Sequence, residues 1–366
     1  MKLLFSIFIV CAINISIFAQ ISPNDSLRYK IGQMLMIGFR DTIISNSSHI
    51  INDIKQHNIG GVVLYEYDSP TGSRPRNISS KDQLKKLNQD LQTHADIPLF
   101  IGIDEEGGKV SRLKTKYGFK QTVSAQYLGS VNNADTTKHY ARQIAIACKE
   151  MGINLNFAPV IDVNTNPTSP VIGNIKRSFS NNANSVTFHA KLFIEEHQKQ
   201  NILCSLKHFP GHGSAKNDSH QGFTDVTGTW QELELLPFKS ILNEGDFPLV
   251  MTSHVFNRNI DSVYPATLSK STINLLRKGL NYNGLILSDD MMMLAIVSNF
   301  GLTEALKQSI NAGVDVLIFS NNIDHYNPKI AEQVINLIIE LVKKGEISIE
   351  RINESYQRIM LTKNKP

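Results

Sequence analysis

The densest group of chemically capable side chains runs Lys207-His208-Phe209-Pro210-Gly211-His212-Gly213 and resumes as Asn217-Asp218-Ser219-His220. An imidazole with an unperturbed pKa of ~6.5 can give and take a proton near neutral pH, and a carboxylate two residues away can fix its tautomer and favour the cation. The same residue types, with His254 and Asp289, are also metal ligands. The lysine beside His208 would repel a cation, and no paired H-x-H follows an early strand, so no metal is expected. Taken alone, Asp218-Ser219-His220 reads as an exposed turn. After Pro-Gly-His-Gly it reads as a loop able to close over a substrate.

Other ionisable residues follow apolar runs. Asp104 comes after 99–103, Asp162 after 153–157, Lys207 and His208 after 202–206, His254 after 249–252, and Asp289 with Asp290 after 285–288. Any one of them is equally well read as a satisfied rim residue, but so many at run ends form a pattern that a purely structural core would not need. With 34–39, 61–65 and 314–319 there are eight such runs, rich in Ile, Leu and Val without alternation, as expected of strands buried on both faces. Helical patterns lie between them. Over 80–91, Leu84, Leu87 and Leu91 share a face behind a Ser80/Gln83 capping box, and over 140–151, Ile144, Cys148 and Met151 fall together. This alternation predicts an α/β fold, a single (β/α)8 TIM-type barrel, with a doubly wound open sheet as the alternative. A barrel places chemistry in the loops beyond the C-terminal ends of its strands.

Composition bounds the function. With 366 residues, 41% hydrophobic and 19% charged, the chain can bury a large core. The formal charge is 37 − 33 = +4, and no basic run is long enough to track a phosphate backbone, so nucleic acid is not an expected partner. Residues 1–19 read as a secretory signal peptide, with Lys2, an apolar run broken by Asn14 and Ser16, and cleavage at Ala19. Val10 stands before Cys11 where a lipoprotein needs a small residue. The expected mature chain, 20–366, is one domain without a membrane span, a monomer, exported to the periplasm or the medium. Cys148 and Cys204 are expected as two buried thiols rather than a disulfide.

The KHFPGHG segment followed by Asp-Ser-His resembles the β-N-acetylglucosaminidase (β-N-acetylhexosaminidase) branch of the family 3 glycoside hydrolases. The resemblance continues through 104–112, 158–163, Arg177-Ser178-Phe179 and 287–290. It implies a retaining exo-hydrolase that releases terminal N-acetylglucosamine without a cofactor, on peptidoglycan or chitin-type fragments. Asp289 would be the nucleophile, His220 the acid/base and Asp218 its orienting partner, while Asp104, Arg112, Arg177, Lys207 and His208 would hold the sugar. A carboxylate on a rigid strand end suits the trapping of an oxocarbenium-like carbon. Asp290 is the rival nucleophile, although neighbours leaving a strand diverge, and a helix-capping role is favoured for it. Arg177 could instead form a surface ion pair, Arg112 could position the Asp104 loop, His212 reads as structural, and His254 is either satisfied or a site wall. Lys109 stands where this branch commonly has arginine, a change that is neutral if the side chain only braces its loop. Phosphorolysis, and an exported sugar-binding protein without catalysis, remain as alternatives.

Overall fold

A computed structural model describes residues 23–219, 221–243 and 249–364; the proposed leader, 1–19, and His220 lie outside the described residues. Among the described residues there are ten strands: β1 (Leu35–Gly38), β2 (Gly61–Leu64), β3 (Phe100–Ile103), β4 (Leu155–Asn156), β5 (Leu203–Phe209), β6 (Thr224–Asp225), β7 (Leu249–Thr252), β8 (Val255–Phe256), β9 (Ile286–Asp290) and β10 (Val316–Phe319). Eight of them close a parallel barrel in the order β1-β10-β9-β7-β5-β4-β3-β2. Each of the eight apolar runs supplies one barrel strand. The open-sheet alternative fails because each of the eight pairs with two neighbours, so none of them is an edge strand.

Parallel neighbours need long crossovers, and here these are helical. In chain order the helices are α1 (Pro23–Gln33), α2 (His49–His57), α3 (Lys81–Thr93), α4 (Ala125–Val131), α5 (Ala134–Glu150), α6 (Ala183–Gln198), α7 (Leu236–Leu242), α8 (Lys270–Asn274), α9 (Leu294–Ala312), α10 (Ile330–Lys343) and α11 (Ile349–Lys363). Helix α3 buries Leu84, Leu87 and Leu91 as its pattern requires. Its cap differs from the expected box. The Ser80 hydroxyl accepts from Gln83 N, but the Gln83 side chain accepts from Ser79 N, one residue earlier than expected. That amide also donates to Thr42 O and Asn77 O, which draws it toward the preceding loop. Helix α5 begins six residues before the predicted start, because the Asn133 side chain caps it by accepting from Thr136 N, and Met151 falls at the C-cap. Cys148 and Cys204 are buried free thiols.

Outside the barrel, β6 pairs with β8, which ties the stretch beyond Asp218 to the exit of β7. Among the described residues no helix is long and apolar enough to cross a membrane.

Candidate active site

At the C-terminal end of the barrel, β5 carries Lys207 into a pair of carboxylates. Its Nζ lies 2.7 Å from Asp104 Oδ1 and 2.7 Å from Glu106 Oε1, with the side chain 2% exposed. Burial alone would raise both carboxyls. The adjacent cations outweigh it, Lys207 and Arg112 at Asp104 and Arg177 and Lys207 at Glu106, so both are held below their ordinary values. Arg177 grips Glu106 bidentately, with Nε to Oε2 at 2.8 Å and Nη2 to Oε1 at 2.7 Å, so it is a buried ion pair rather than a surface one. Arg112 Nη2 approaches Asp104 Oδ2 at 3.4 Å. Two glycines bend this loop. Gly107 and Gly108 have φ of 92° and 64°, values that L side chains rarely adopt, and the chain doubles back so that Glu106 N donates to Val110 O.

His208 bridges this lattice to a second carboxylate. Its Nδ1 lies 2.6 Å from Asp162 Oδ2, and its Nε2 lies 3.2 Å from Arg177 Nη2. Arginine can only donate, so Nε2 accepts, Nδ1 carries the proton, and the ring is the neutral tautomer. Asp162 also accepts from His208 N and His212 N. Burial works to raise its carboxyl, but the His208 imidazole and these hydrogen bonds hold it below its ordinary value.

The loop beyond β5 is anchored from beneath. Gly213 N donates to Glu234 Oε2, and a Cβ at Gly213 would lie 1.8 Å from Val163 O, so only glycine fits. His212, 2% exposed with Nε2 3.1 Å from Ser219 Oγ, is structural as expected. Trp230 Nε1 donates to Pro210 O and holds the far side of the loop. Asp218 reaches the cavity from this loop.

Strand β9 delivers Asp289 and Asp290. The Asp290 N–H donates to Asp289 Oδ1 at 2.8 Å, which fixes the Asp289 carboxylate against its own strand end. Asp290 Oδ1 accepts from Met292 N and Ser320 N. Its capping role is therefore in the turn before α9 and across to β10, whereas the N-cap residue of α9 itself is Met293. Burial pushes the Asp290 carboxyl up to about 6, and Asp289 adds to the rise. His254 is fully buried, with ring nitrogens 2.8 Å from Thr267 Oγ1 and 2.9 Å from Asp290 O, and is a satisfied core residue rather than a site wall.

Asp104, Arg112, Arg177, Lys207, His208, Asp218 and Asp289 line one cavity of about 470 Å³. All the expected site residues meet there except His220, which lies outside the described residues. Glu106 was not singled out from the sequence, although it stands two residues beyond Asp104, at a spacing that brings side chains to the same side of an extended chain. Asn156 was also missed. Its amide accepts from Glu105 N and donates to Glu105 O, which pins the backbone between Asp104 and Glu106. Nothing in its sequence neighbourhood distinguishes it from other strand residues.

The model of the glycosyl hydrolase family 3 N-terminal domain matches residues 26–362. The chain is 28% identical to a β-hexosaminidase of Mycobacterium tuberculosis, LpqI, over 96% of this chain and 86% of that one. It is 32% identical to a β-hexosaminidase of Tolumonas auensis over 74% of this chain and 78% of the relative. A solved family 3 β-N-acetylglucosaminidase from a Paenibacillus species superposes with a TM-score of 0.83 at 32% identity, covering 92% of this chain and 62% of that one. With a matching family model, a closed barrel and one polar cavity at its C-terminal end, the chain belongs to glycosyl hydrolase family 3, in its β-N-acetylhexosaminidase branch, and is a glycoside hydrolase.

Proposed function

We propose that the chain is a retaining, hydrolytic exo-β-N-acetylhexosaminidase that removes terminal N-acetylglucosamine from peptidoglycan or chitin-type fragments. The observation that carries this reading is that Asp289, at a rigid strand end, lines the same cavity as the Asp104, Lys207, Arg177 and His208 lattice and Asp218. The lattice holds fixed charge that can meet ring hydroxyls without reorganising, and Lys207 and Arg112 can donate while Asp104 accepts.

In the first step an Asp289 oxygen bonds to the anomeric carbon, the glycosidic C–O bond breaks, and His220 delivers a proton to the departing oxygen. Asp218, two residues earlier on the loop, orients that imidazole. In the second step His220 takes a proton from water as the water oxygen bonds to the anomeric carbon and the Asp289 ester breaks. No step calls for a metal or a cofactor.

Product analysis with an aryl N-acetyl-β-glucosaminide, with and without phosphate, tests the reaction. Free N-acetylglucosamine in both cases is expected; a sugar 1-phosphate would replace hydrolysis by phosphorolysis. A slow 5-fluoro glycosyl substrate should label Asp289. A label on Asp290, or none, would overturn the nucleophile. We further propose that 1–19 is removed during export, leaving 20–366 as the working domain. N-terminal sequencing of protein from the periplasm or medium should begin at Gln20, and an intact leader on cytoplasmic protein would refute export.

A further inference from the structure

A second concavity, of about 490 Å³, opens on the rim beside the catalytic cavity. The wall between the two is made of short segments whose residues alternate. Val110 and Arg112 line the catalytic side and Lys109 and Leu113 the outer side, while Arg177 faces inward, Lys176 outward, and Ile175 borders both. These segments are turns and bends, and their successive side chains leave on opposite faces of the wall. The two spaces are therefore one residue apart.

The outer concavity has a single sign of charge. Lys109, Lys114, Lys120 and Lys176 line it, and no Asp or Glu does. Lys114 lies 3.6 Å from Glu66 Oε1, and the ion pairs found among the described residues leave the other three out. Lys109, Lys120 and Lys176 are exposed, so Lys109 does not brace its loop. Surfaces ordinarily intersperse both signs. Three uncompensated ammonium groups in one concavity repel each other, and a mobile or bound anion relieves that repulsion.

An exo-acting site holds the terminal sugar in its cavity and lets the remainder of the chain leave over the lip. Val110 borders the catalytic cavity and Ile175 borders both spaces, so a remainder that leaves on this side enters the lysine groove. Resting on the hydrolase reading above, we propose that this groove holds the continuing chain of a carboxylate-bearing glycan, so that anionic N-acetylglucosamine-terminated chains are preferred over neutral ones. A neutral chitin-type chain gains nothing from the ammonium groups. A chain with a carboxylate on each second sugar gains at every unit that lies in the groove. The carboxylate could belong to a uronic acid or to a lactyl ether, and the chemistry of recognition is shared.

The test compares kcat/KM for three N-acetylglucosamine-terminated tetrasaccharides, one neutral and chitin-type, one uronate-bearing and one bearing lactyl ethers. Each is measured at about 20 mM and at about 300 mM NaCl, where screening shortens the reach of the field from about 20 Å to about 6 Å. At low salt the anionic substrates should be favoured several-fold, mainly through KM, and the advantage should shrink at high salt. The triple variant Lys109→Ser, Lys120→Ser, Lys176→Asn should lose the advantage while keeping its kcat/KM on the neutral chain. Asparagine is chosen because residue 176 has a φ of 63°, which asparagine tolerates. A preference for only one anionic substrate names the source. Equal salt response for neutral and anionic chains, or a variant that retains the preference, overturns the proposal. Failure of the parent on the neutral aryl glycoside would instead count against the hydrolase reading.

Discussion

Exchanging Asp162 for asparagine changes one atom of the site and should disturb two of its neighbours, His208 and Arg177. The carboxylate accepts the His208 Nδ1–H at 2.6 Å, and its other oxygen accepts His208 N at 3.2 Å and His212 N at 2.7 Å. In Asp162→Asn the carbonyl oxygen can keep the two backbone donors, which leaves the amide NH2 against His208 Nδ1. Two donors cannot face each other, so the ring must move its proton to Nε2. There it meets Arg177 Nη2, another donor, at 3.2 Å. The variant therefore loses a hydrogen bond to an ionised carboxylate and one to a guanidinium, each worth about 1.5–3 kcal/mol, and some is recovered by relaxation. A net loss of about 1.5–3 kcal/mol at the sugar-binding face corresponds to roughly 10- to 100-fold in kcat/KM. Steady-state kinetics on an aryl N-acetyl-β-glucosaminide would measure the loss, and nitrogen-15 NMR of the imidazoles would report the tautomer. A folded variant with unchanged kcat/KM, or with the His208 proton still on Nδ1, would refute the reasoning.

Asp290→Asn should keep the bonds from Met292 N and Ser320 N and retain substantial activity. In the parent, burial raises Asp290 from 3.8 to about 6, so the folded state keeps a proton that the unfolded chain has lost; this contribution favours folding at low pH and is withdrawn as pH rises through about 6. Denaturant unfolding at several pH values should show the variant gaining on the parent between about pH 4 and pH 7, and a constant difference would argue against the shift. His220→Ala should slow substrates with poor leaving groups most, and with an activated aryl leaving group should show a burst of aryl alcohol as the Asp289 ester accumulates. Equal losses on both substrates without a burst would leave His220 as a sugar contact only. Phe209→Ala removes a fully buried ring packed edge-on against Phe238 at 5.1 Å, and calorimetry or denaturant titration should record a loss of about 3–5 kcal/mol. A loss below about 1 kcal/mol would mean that the β5 exit repacks freely.

The barrel was legible because its signal is local. An unalternating apolar run marks a strand covered on both faces, and each of the eight did so independently. The site was legible to the extent that it follows strand ends, as with Asp104, Lys207 and Asp289. Glu106 and Asn156 were hidden because their roles depend on partners far along the chain: Glu106 on Arg177, 71 residues away, and Asn156 on Glu105, 51 residues away. The cap of α3 differed for a related reason, since Thr42 and Asn77 compete for the Gln83 amide. His254 looked like a candidate wall until its hydrogen-bond partners on Thr267 and Asp290 were known.

The shared bonds among Asp104, Glu106, Arg177 and Lys207 constrain how this site can drift over generations. Lys207 Nζ serves two carboxylates, and Glu106 serves two cations. Removing any one member strands a buried charge on another, a loss of about 3–5 kcal/mol that a marginally stable fold rarely survives. A second exchange that neutralises the stranded partner would recover part of that loss, so the effects of paired changes should be far from additive. Lineages that alter this floor are expected to change it two residues at a time. Lys109 and Lys176, on the far side of the same wall and outside any such lattice, can be exchanged singly, which leaves taste for the departing chain free to diverge while the grip on the first sugar stays fixed.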